Sequence, residues 1–301
     1  MKNKITIFAP ATIANLAVGF DQLGLAISSI GDTVSITLID SDTIKITCDN
    51  ENIPTDKRNT AYGALKALKE RLKYNKGFSV HIKKGIPIGS GLGGSAASAV
   101  GAVVGANKLL NNPLSQDELL LCALAGEELS GASHFDNIAP CLNGGITLVS
   151  DNKVISLENN IKNLSIILIH PDIIIKTAES RKLLPSKISL NKHVKQSGYL
   201  ARFIIALSKG NFNEILLSCR DVIIEPIRHI LIKGFLQIQE EAKKNNMALS
   251  ISGSGPTMFA LSNKKNNTED ELKLRKVVEI YYNKFWIKTV EINNEGAHEI
   301  L

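Results

Sequence analysis

The spacing of apolar residues along the first half of this chain predicts where its strands and helices lie. Apolar and polar residues alternate, as in strands with one buried face, at residues 4–8, 34–38, 44–48 and 78–82. Because segments 34–38 and 44–48 flank the polar residues 40–42, the pattern predicts a hairpin. Apolar residues spaced by three and four predict helices at 59–73 and 114–128, with Asn59 and Ser115 as their N-terminal caps.

The second half of the chain alternates strands and helices in a different order. The predicted strands are 164–170, 248–252, 258–261 and 288–292, and the predicted helices are 177–184, 192–207, 213–217, 234–245 and 269–285. This order predicts an α+β unit that is compatible with a ferredoxin-like domain. A polar, asparagine-rich stretch at 151–163 separates the halves, so we expect two domains, residues 1–158 and 159–301.

Composition and charge narrow the classes of function. The 301 residues are 44% hydrophobic and 21% charged, as in a folded globular protein with room for two cores. The net charge of +6 comes from scattered lysines, and aromatic residues are only 5%, which argues against nucleic-acid binding and favours a small anionic substrate. Four widely spaced cysteines and the lack of a long apolar run indicate a cytoplasmic protein with no membrane partner. A homodimer is expected only on general grounds.

The sequence GIPIGSGLGGSAAS at residues 85–98 carries the strongest chemical signal. Four glycines stand within six positions, and the stretch runs directly into a helix of small residues. Because glycine has no side chain, a ligand can reach the backbone N–H groups of such a loop, and a helix N-terminus attracts anions. This pattern therefore predicts a phosphate-binding loop. A tight turn without a ligand would explain a single short glycine turn equally well, but the density of glycines here favours the phosphate.

Three well-known phosphate-binding patterns do not fit this loop. Gly89, Gly91 and Gly94 satisfy G-x-G-x-x-G, but no acidic residue follows between positions 95 and 116, as a dinucleotide site requires. A P-loop needs a lysine before its serine or threonine, and this loop ends Gly94-Ser95. The D-F-G and H-R-D triplets of protein kinases are absent from the chain.

The pattern that remains, Pro-x-x-x-Gly-Leu-Gly-x-Ser-Ala at residues 87–96, resembles the second motif of the GHMP kinases, which phosphorylate small metabolites. Residues 9–21 and the second glycine turn at 252–257 also line up with this family. Further segments are most similar to the homoserine kinase branch of the family: 130–131, 134–140, 177–181, 225–228 and 296–297. Gly94 departs from the pattern because many members have a serine there, so this loop lacks one hydroxyl that would contact the phosphates.

The resemblance implies a fold and a reaction. It implies an α+β GHMP kinase fold with a ribosomal-S5-like N-terminal domain, a ferredoxin-like C-terminal domain and a site between them. ATP and L-homoserine would give O-phospho-L-homoserine and ADP, on the route to threonine. The residues implied to bind the ATP phosphates are Pro87, Ile88, Gly89, Ser90, Gly91, Leu92, Gly93, Gly94, Ser95, Ala96 and Ala97. Mg²⁺ would be held by Ser95 and by Glu127, with Glu128 as an open alternative.

The same resemblance implies a site for homoserine. Asp21 would hold its ammonium, and Arg181 and Arg228 would grip its carboxylate. Asn15 and His134 would fix the hydroxyl end and the backbone of the ligand. An ordinary ion pair is the alternative interpretation for either arginine alone.

Asn137 stands where other GHMP kinases have a catalytic aspartate. An amide is no useful base, so we expect transfer without a strong protein base, with Asn137, Asn15 and His134 as the catalytic residues. Two other functions stay open on the sequence: another GHMP kinase of the mevalonate type, and a non-catalytic nucleotide-binding member.

Overall fold

Two sheets and the helices packed on them form the protein. The computed structural model describes residues 3–131 and 135–300. The strands are β1 (Lys4–Ala14), β2 (Leu23–Ile39), β3 (Ile44–Cys48), β4 (Gly77–Lys83), β5 (Ile146–Ser150), β6 (Lys153–Leu157), β7 (Leu164–Pro171), β8 (Ala248–Ile251), β9 (Met258–Asn263), β10 (Phe285–Val290) and β11 (His298–Glu299). The helices are α1 (Thr60–Leu72), α2 (Gly94–Leu109), α3 (Gln116–Glu127), α4 (Phe135–Asn143), α5 (Thr177–Lys182), α6 (Leu190–Lys209), α7 (Phe212–Ser218), α8 (Glu225–Arg228), α9 (Phe235–Lys244) and α10 (Asn267–Tyr281).

The 17-residue strand β2 organises the first sheet, whose main order is β11-β1-β2-β4-β3. It pairs antiparallel with β1 and β4, and its first residues pair with β5, which in turn pairs with β6. The predicted hairpin of 34–38 with 44–48 is wrong, because β3 runs parallel to β4 and β4 lies between β2 and β3. Helix α1 makes the crossover between β3 and β4, as parallel pairing requires.

Several elements differ from their predicted bounds, and two were not predicted. β1 continues to Ala14 and its last six residues are all buried, so no polar face marks them. The short strands β6 and β11 were not predicted. Near the C-terminus α10 ends at Tyr281, and β10 begins at Phe285 rather than at residue 288.

Helix α2 lies unusually close to the first sheet because its facing residues are small. A Cβ atom on Gly101 would lie 2.6 Å from Val34 Cγ2, and one on Gly105 would overlap Ile36. The small residues that the sequence shows in this helix therefore lie where it contacts the sheet. The close contact holds the N-terminus of α2, where the glycine loop ends, against the sheet.

The second sheet has the order β10-β7-β9-β8, and all its pairs are antiparallel. All eight residues of β7 are buried, since it is a central strand. The predicted boundary at residue 158 stays a prediction, and β11 returns to pair with β1 in the first sheet.

Two further findings concern the cysteines and the search for membrane-spanning helices. All four cysteines are free thiols. Among the described residues, no helix is both long and apolar enough to cross a membrane.

Alanine substitutions at two helical glycines should have opposite effects on stability. Gly101→Ala forces a methyl group against Val34, so we expect the free energy of unfolding to fall by about 1–3 kcal/mol. Gly198 in α6 has no atom within 4 Å of its Cβ position, so Gly198→Ala should stabilise by roughly 0.5–1 kcal/mol. Urea unfolding of both variants measures this difference. A stabilising Gly101→Ala would contradict the close packing of α2.

Candidate active site

A cleft of about 640 Å³ opens where the two sheets and their helices meet. One wall is the glycine loop with the ends of α3 and α4, and the other is formed by α5, α8 and the turn between β8 and β9. The predicted residues lining it are Asn15, Asp21, Pro87, Ile88, Gly89, Ser90, Gly91, Gly93, Gly94, Ser95, Glu127, Asn137, Arg181 and Arg228. Leu92, Ala96 and Ala97 of the predicted loop are fully buried beneath it. His134 lies outside the described residues.

The glycine loop adopts a backbone shape that side chains would oppose. Gly89, Gly91 and Gly93 all have positive φ, at 66°, 77° and 70°. A Cβ atom on Gly91 would lie 2.5 Å from the Ser252 carbonyl oxygen, so the second glycine turn fits directly behind the loop. Ser252 Oγ donates to the Gly91 carbonyl at 2.7 Å, and the Thr257 N–H donates to the Ser90 carbonyl at 3.1 Å. The second turn therefore supports the first one.

Two charged residues that we did not predict hold the base of the loop. Asp32 is fully buried in β2, and its Oδ1 accepts the N–H groups of Gly85 and Ile86, both at 3.1 Å. The Lys84 ammonium pairs with Asp32 and donates to the Gly94 carbonyl at 2.9 Å. Lys84 directly follows Lys83, and lysines are usually exposed to solvent, so nothing in the sequence signalled that Lys84 would contact the loop.

Ser95 and Glu127 lie together at the start of α2 and the end of α3. Ser95 Oγ donates to Glu127 Oε1 at 2.6 Å, and Glu127 is 6% exposed. Glu128 is exposed and does not line the cleft. Hydroxyl and carboxylate oxygens suit Mg²⁺, which proteins commonly bind through one or two carboxylates together with substrate phosphates. The donor set at Ser95 and Glu127 therefore fits the ion that the resemblance implies.

Asn15 shapes the turn between β1 and β2. Its φ is 72° and that of Asp21 is 57°, a left-handed conformation that asparagine and aspartate tolerate better than most residues. Asn15 Nδ2 donates to the Gly253 carbonyl at 3.2 Å, and its Oδ1 accepts the Asp21 N–H at 3.0 Å. Its amide thus links the turn to the second sheet and holds Asp21 in position.

Asp21, Arg181 and Arg228 come together from three separate elements. Arg181 Nη2 and Nη1 donate to the two Asp21 carboxylate oxygens at 2.6 Å and 3.2 Å, and both side chains are partly exposed to the cleft. Arg228 is 3% exposed and its Nη1 donates to the Gly253 carbonyl at 2.8 Å. Burial, and then the nearby Arg181 charge, lower the pKa of Arg228. The Nε atoms of both arginines are buried and have no acceptor within the described part of the chain.

Phe20 completes this cluster and was missed as a site residue. The guanidinium carbons of Arg181 and Arg228 lie 5.5 Å and 5.2 Å from the centre of its ring, within cation–π range. Its position beside Asp21, in a chain with few aromatic residues, was the only sequence signal.

Asn137 lies in the first turn of α4 and contacts two polar residues that we did not predict. Thr12 Oγ1 donates to Asn137 Oδ1 at 2.7 Å, and Asn137 Nδ2 donates to Asp136 Oδ1 at 3.4 Å. Asp136 is 5% exposed, and burial, followed by the Asp21 charge, raises its pKa to about 7. The cleft thus contains a carboxyl group that titrates near neutral pH.

Adjacent glycines of the loop should respond differently to alanine. Gly93 has positive φ, and its Cβ would overlap Thr12 Oγ1 and lie 2.8 Å from Asn137 Oδ1, so we expect Gly93→Ala to lower kcat at least tenfold. Gly94 begins α2, and its Cβ would meet ordinary contacts at 3.4 Å and 3.5 Å, so Gly94→Ala should keep kcat within about threefold. Steady-state kinetics on both variants checks this. Equal losses would show that the Thr12–Asn137 contact is not the constraint.

Comparisons with known proteins agree with this geometry. The family model described as GHMP kinases N terminal domain matches residues 59–145, and the one described as GHMP kinases C terminal matches residues 203–283. The homoserine kinase of Xanthomonas campestris pv. campestris (strain B100) is 39% identical over 259 residues, which are 84% of this chain and 80% of that protein. The homoserine kinase of Methanococcus vannielii is 36% identical over 269 residues, 87% of this chain and 89% of that protein.

A solved structure gives the same result for the fold. The crystal structure of homoserine kinase from Cytophaga hutchinsonii ATCC 33406 has a TM-score of 0.95 and 35% identity, and the match covers 100% of this chain and 98% of that one. The predicted two-domain α+β fold is thereby confirmed. With two family models that together match more than half of the chain, this protein belongs to the GHMP kinase family.

Proposed function

We propose that this protein transfers the γ-phosphoryl group of ATP to the side-chain hydroxyl of L-homoserine, giving O-phospho-L-homoserine and ADP, a step towards threonine. The observation that carries the proposal is the cluster of Asp21, Arg181 and Arg228 in the same cleft as the glycine loop. A kinase for an amino acid needs both features, because one binds the phosphates and the other binds the zwitterionic end of the acceptor.

The charges of this cluster match those of a free amino acid. Homoserine carries an ammonium and a carboxylate on one carbon, so the two charges lie side by side, as do those of Asp21 and Arg181. Asp21 accepts from the ammonium, and Arg181 and Arg228 donate to the carboxylate through planar guanidinium groups. The buried Nε atoms of the two arginines supply donors for this purpose. Mevalonate has no ammonium and galactose has neither charge.

The phosphates lie along the residues from Pro87 to Ala97 in this proposal. Backbone N–H groups of the glycine loop and the N-terminus of α2 bind the phosphate oxygens, which costs no reorganisation because the second glycine turn holds the loop. Ser95 and Glu127 would hold Mg²⁺. That ion neutralises phosphate charge when it is bound.

The remaining residues orient the acceptor. Asn137 directs the homoserine hydroxyl towards the γ-phosphate, and Asn15 holds Asp21 against the ammonium. Direct contacts of Asn15 and His134 with the substrate stay predictions. So do the cytoplasmic location and the homodimer.

Two other functions make different demands on the site. A kinase of the mevalonate type would leave Asp21 without an ammonium to bind. A non-catalytic nucleotide-binding member would have no need for Ser95 beside Glu127 in a cleft that also contains two arginines. Neither function is favoured by a specific contact in the cleft.

A substrate panel tests the proposed function. The purified chain with ATP and Mg²⁺ is offered L-homoserine, mevalonate or galactose separately, and ADP release is followed with a coupled assay. We expect turnover with homoserine at least 100-fold above the other two, because only homoserine satisfies Asp21 and both arginines. A ³¹P NMR spectrum identifies the phosphate ester. No turnover with homoserine would refute the proposal.

Neighbouring glutamates should differ in their effect on the metal requirement. Glu127→Gln removes the carboxylate beside Ser95, so we expect the Mg²⁺ concentration for half-maximal activity to rise at least tenfold. Glu128→Gln is the matched control and should leave that concentration unchanged, since Glu128 is exposed. The assay is the same ADP release, measured across a Mg²⁺ titration. A shift in the Glu128 variant alone would make Glu128 the ligand instead.

A further inference from the structure

The first turns of α6 are almost entirely exposed to solvent. Of residues 190–198, only Gln196 is partly buried, and the apolar side chains of Leu190 and Val194 are 76% and 60% exposed. Burial of apolar surface therefore contributes little to holding this part of the helix in place. The attachment has to come from polar contacts, and Gln196 is the residue placed to make them.

The side-chain amide of Gln196 joins two backbone segments that are far apart in the chain. Its Nε2 donates to the Val18 carbonyl at 2.9 Å, and its Oε1 accepts the Val222 N–H at 2.9 Å. Val18 belongs to the turn between β1 and β2, and Val222 lies shortly before α8. Because the amide uses a donor at one end and an acceptor at the other, a side chain that lacks either group cannot replace it.

The turn at one end of this amide carries Asp21. The Gly19 N–H donates to the Asn15 carbonyl at 2.8 Å, and the Asp21 N–H donates to Asn15 Oδ1 at 3.0 Å. These bonds close the turn on both sides of Val18 and make it one unit. A displacement of the Val18 carbonyl therefore moves Asp21 as well.

The segment at the other end leads into the helix that carries Arg228. Asp221 directly precedes Val222, and its carboxylate accepts the backbone N–H groups of residues 223–225 at 2.8, 2.8 and 3.0 Å. These bonds fix the start of the four-residue helix α8, whose last residue is Arg228. The position of Val222 is thereby passed on to that arginine.

A separate link joins the same two segments inside the cleft. The Gly253 carbonyl accepts from Asn15 Nδ2 at 3.2 Å and from Arg228 Nη1 at 2.8 Å. A single point of contact allows the two segments to rotate about it, whereas two contacts fix their relative orientation. Within the described part of the chain, Gln196 does not line the cleft, so it supplies the second contact from outside.

We propose that Gln196 is a positioning residue for the acceptor: its amide holds the β1–β2 turn and the start of α8 at the spacing at which Asp21 and the two arginines bind one amino acid together. This inference rests on the proposed function. A free amino acid carries its ammonium and carboxylate on one carbon, so a change in this spacing weakens both contacts at once. The phosphate loop is held by the second glycine turn and is not affected.

The test compares Gln196→Met with the wild type as full-length chains, using ATP, Mg²⁺ and homoserine. Methionine has a similar length but cannot make the two backbone contacts. Loss of two hydrogen bonds of ordinary strength should raise the KM for homoserine roughly 5- to 30-fold, with kcat and the KM for ATP within about threefold of the wild type. Lys195→Met is the matched control, because it places the same side chain on an exposed neighbour, and it should leave all three constants unchanged.

A double-mutant cycle separates positioning from a general loss of stability. Arg228→Lys keeps the positive charge of the acceptor site but loses the planar guanidinium. If Gln196 acts through the placement of Arg228, the homoserine KM of the double variant rises by less than the product of the two single effects. Effects that multiply overturn the proposal. So does an unchanged homoserine KM in folded Gln196→Met, or an equal rise in the KM for ATP.

A second variant keeps the test decisive if Gln196→Met does not fold, which thermal melting followed by circular dichroism shows. Ionised glutamate accepts the Val222 N–H but cannot donate to the Val18 carbonyl, so Gln196→Glu at pH 8 should give the same selective rise in homoserine KM. An unchanged homoserine KM in this variant overturns the proposal. Should the wild type act on another alcohol instead of homoserine, the proposed function fails, and the KM for that alcohol still tests Gln196.

Discussion

The close contact between the two glycine turns is the constraint on which the cleft depends. Gly91 can lie against the carbonyls of Ser252 and Gly255 only because it has no side chain. The two hydrogen bonds across this contact join a loop of the first sheet to a turn of the second one. A phosphate-binding loop supported from behind keeps its N–H groups aimed without rearranging, which is what electrostatic catalysis requires.

The same second turn also organises the acceptor side of the cleft. The Gly253 carbonyl accepts from Asn15 and from Arg228, so one backbone oxygen connects the β1–β2 turn with α8. Asn15 in turn holds Asp21, which pairs with Arg181. The groups that face the acceptor are therefore positioned by the same backbone segment as the phosphate loop, and a shift in that segment would move both.

Local chemistry made part of the fold and of the site predictable. The caps at Asn59 and Ser115 and the small face of α2 depend on neighbouring residues and on helical spacing, and the structure contains all three. The hairpin failed because strand pairing is non-local: β4, far along the chain, takes the position beside β2. Asp32 and Lys84 were missed for the same reason, since their contact joins residues 52 positions apart.

By itself, the sequence determined the phosphate loop, the family and the charged residues suited to an amino acid, because glycine density and motif order are properties of the chain. Only the tertiary structure decided between Glu127 and Glu128 as the residue beside Ser95, and only it brought Thr12 to Asn137, 125 positions away. Burial, which the sequence does not state, moved the pKa of Asp136 towards neutrality. Distance and desolvation arise when the chain folds, so the chemistry that depends on them is visible only there.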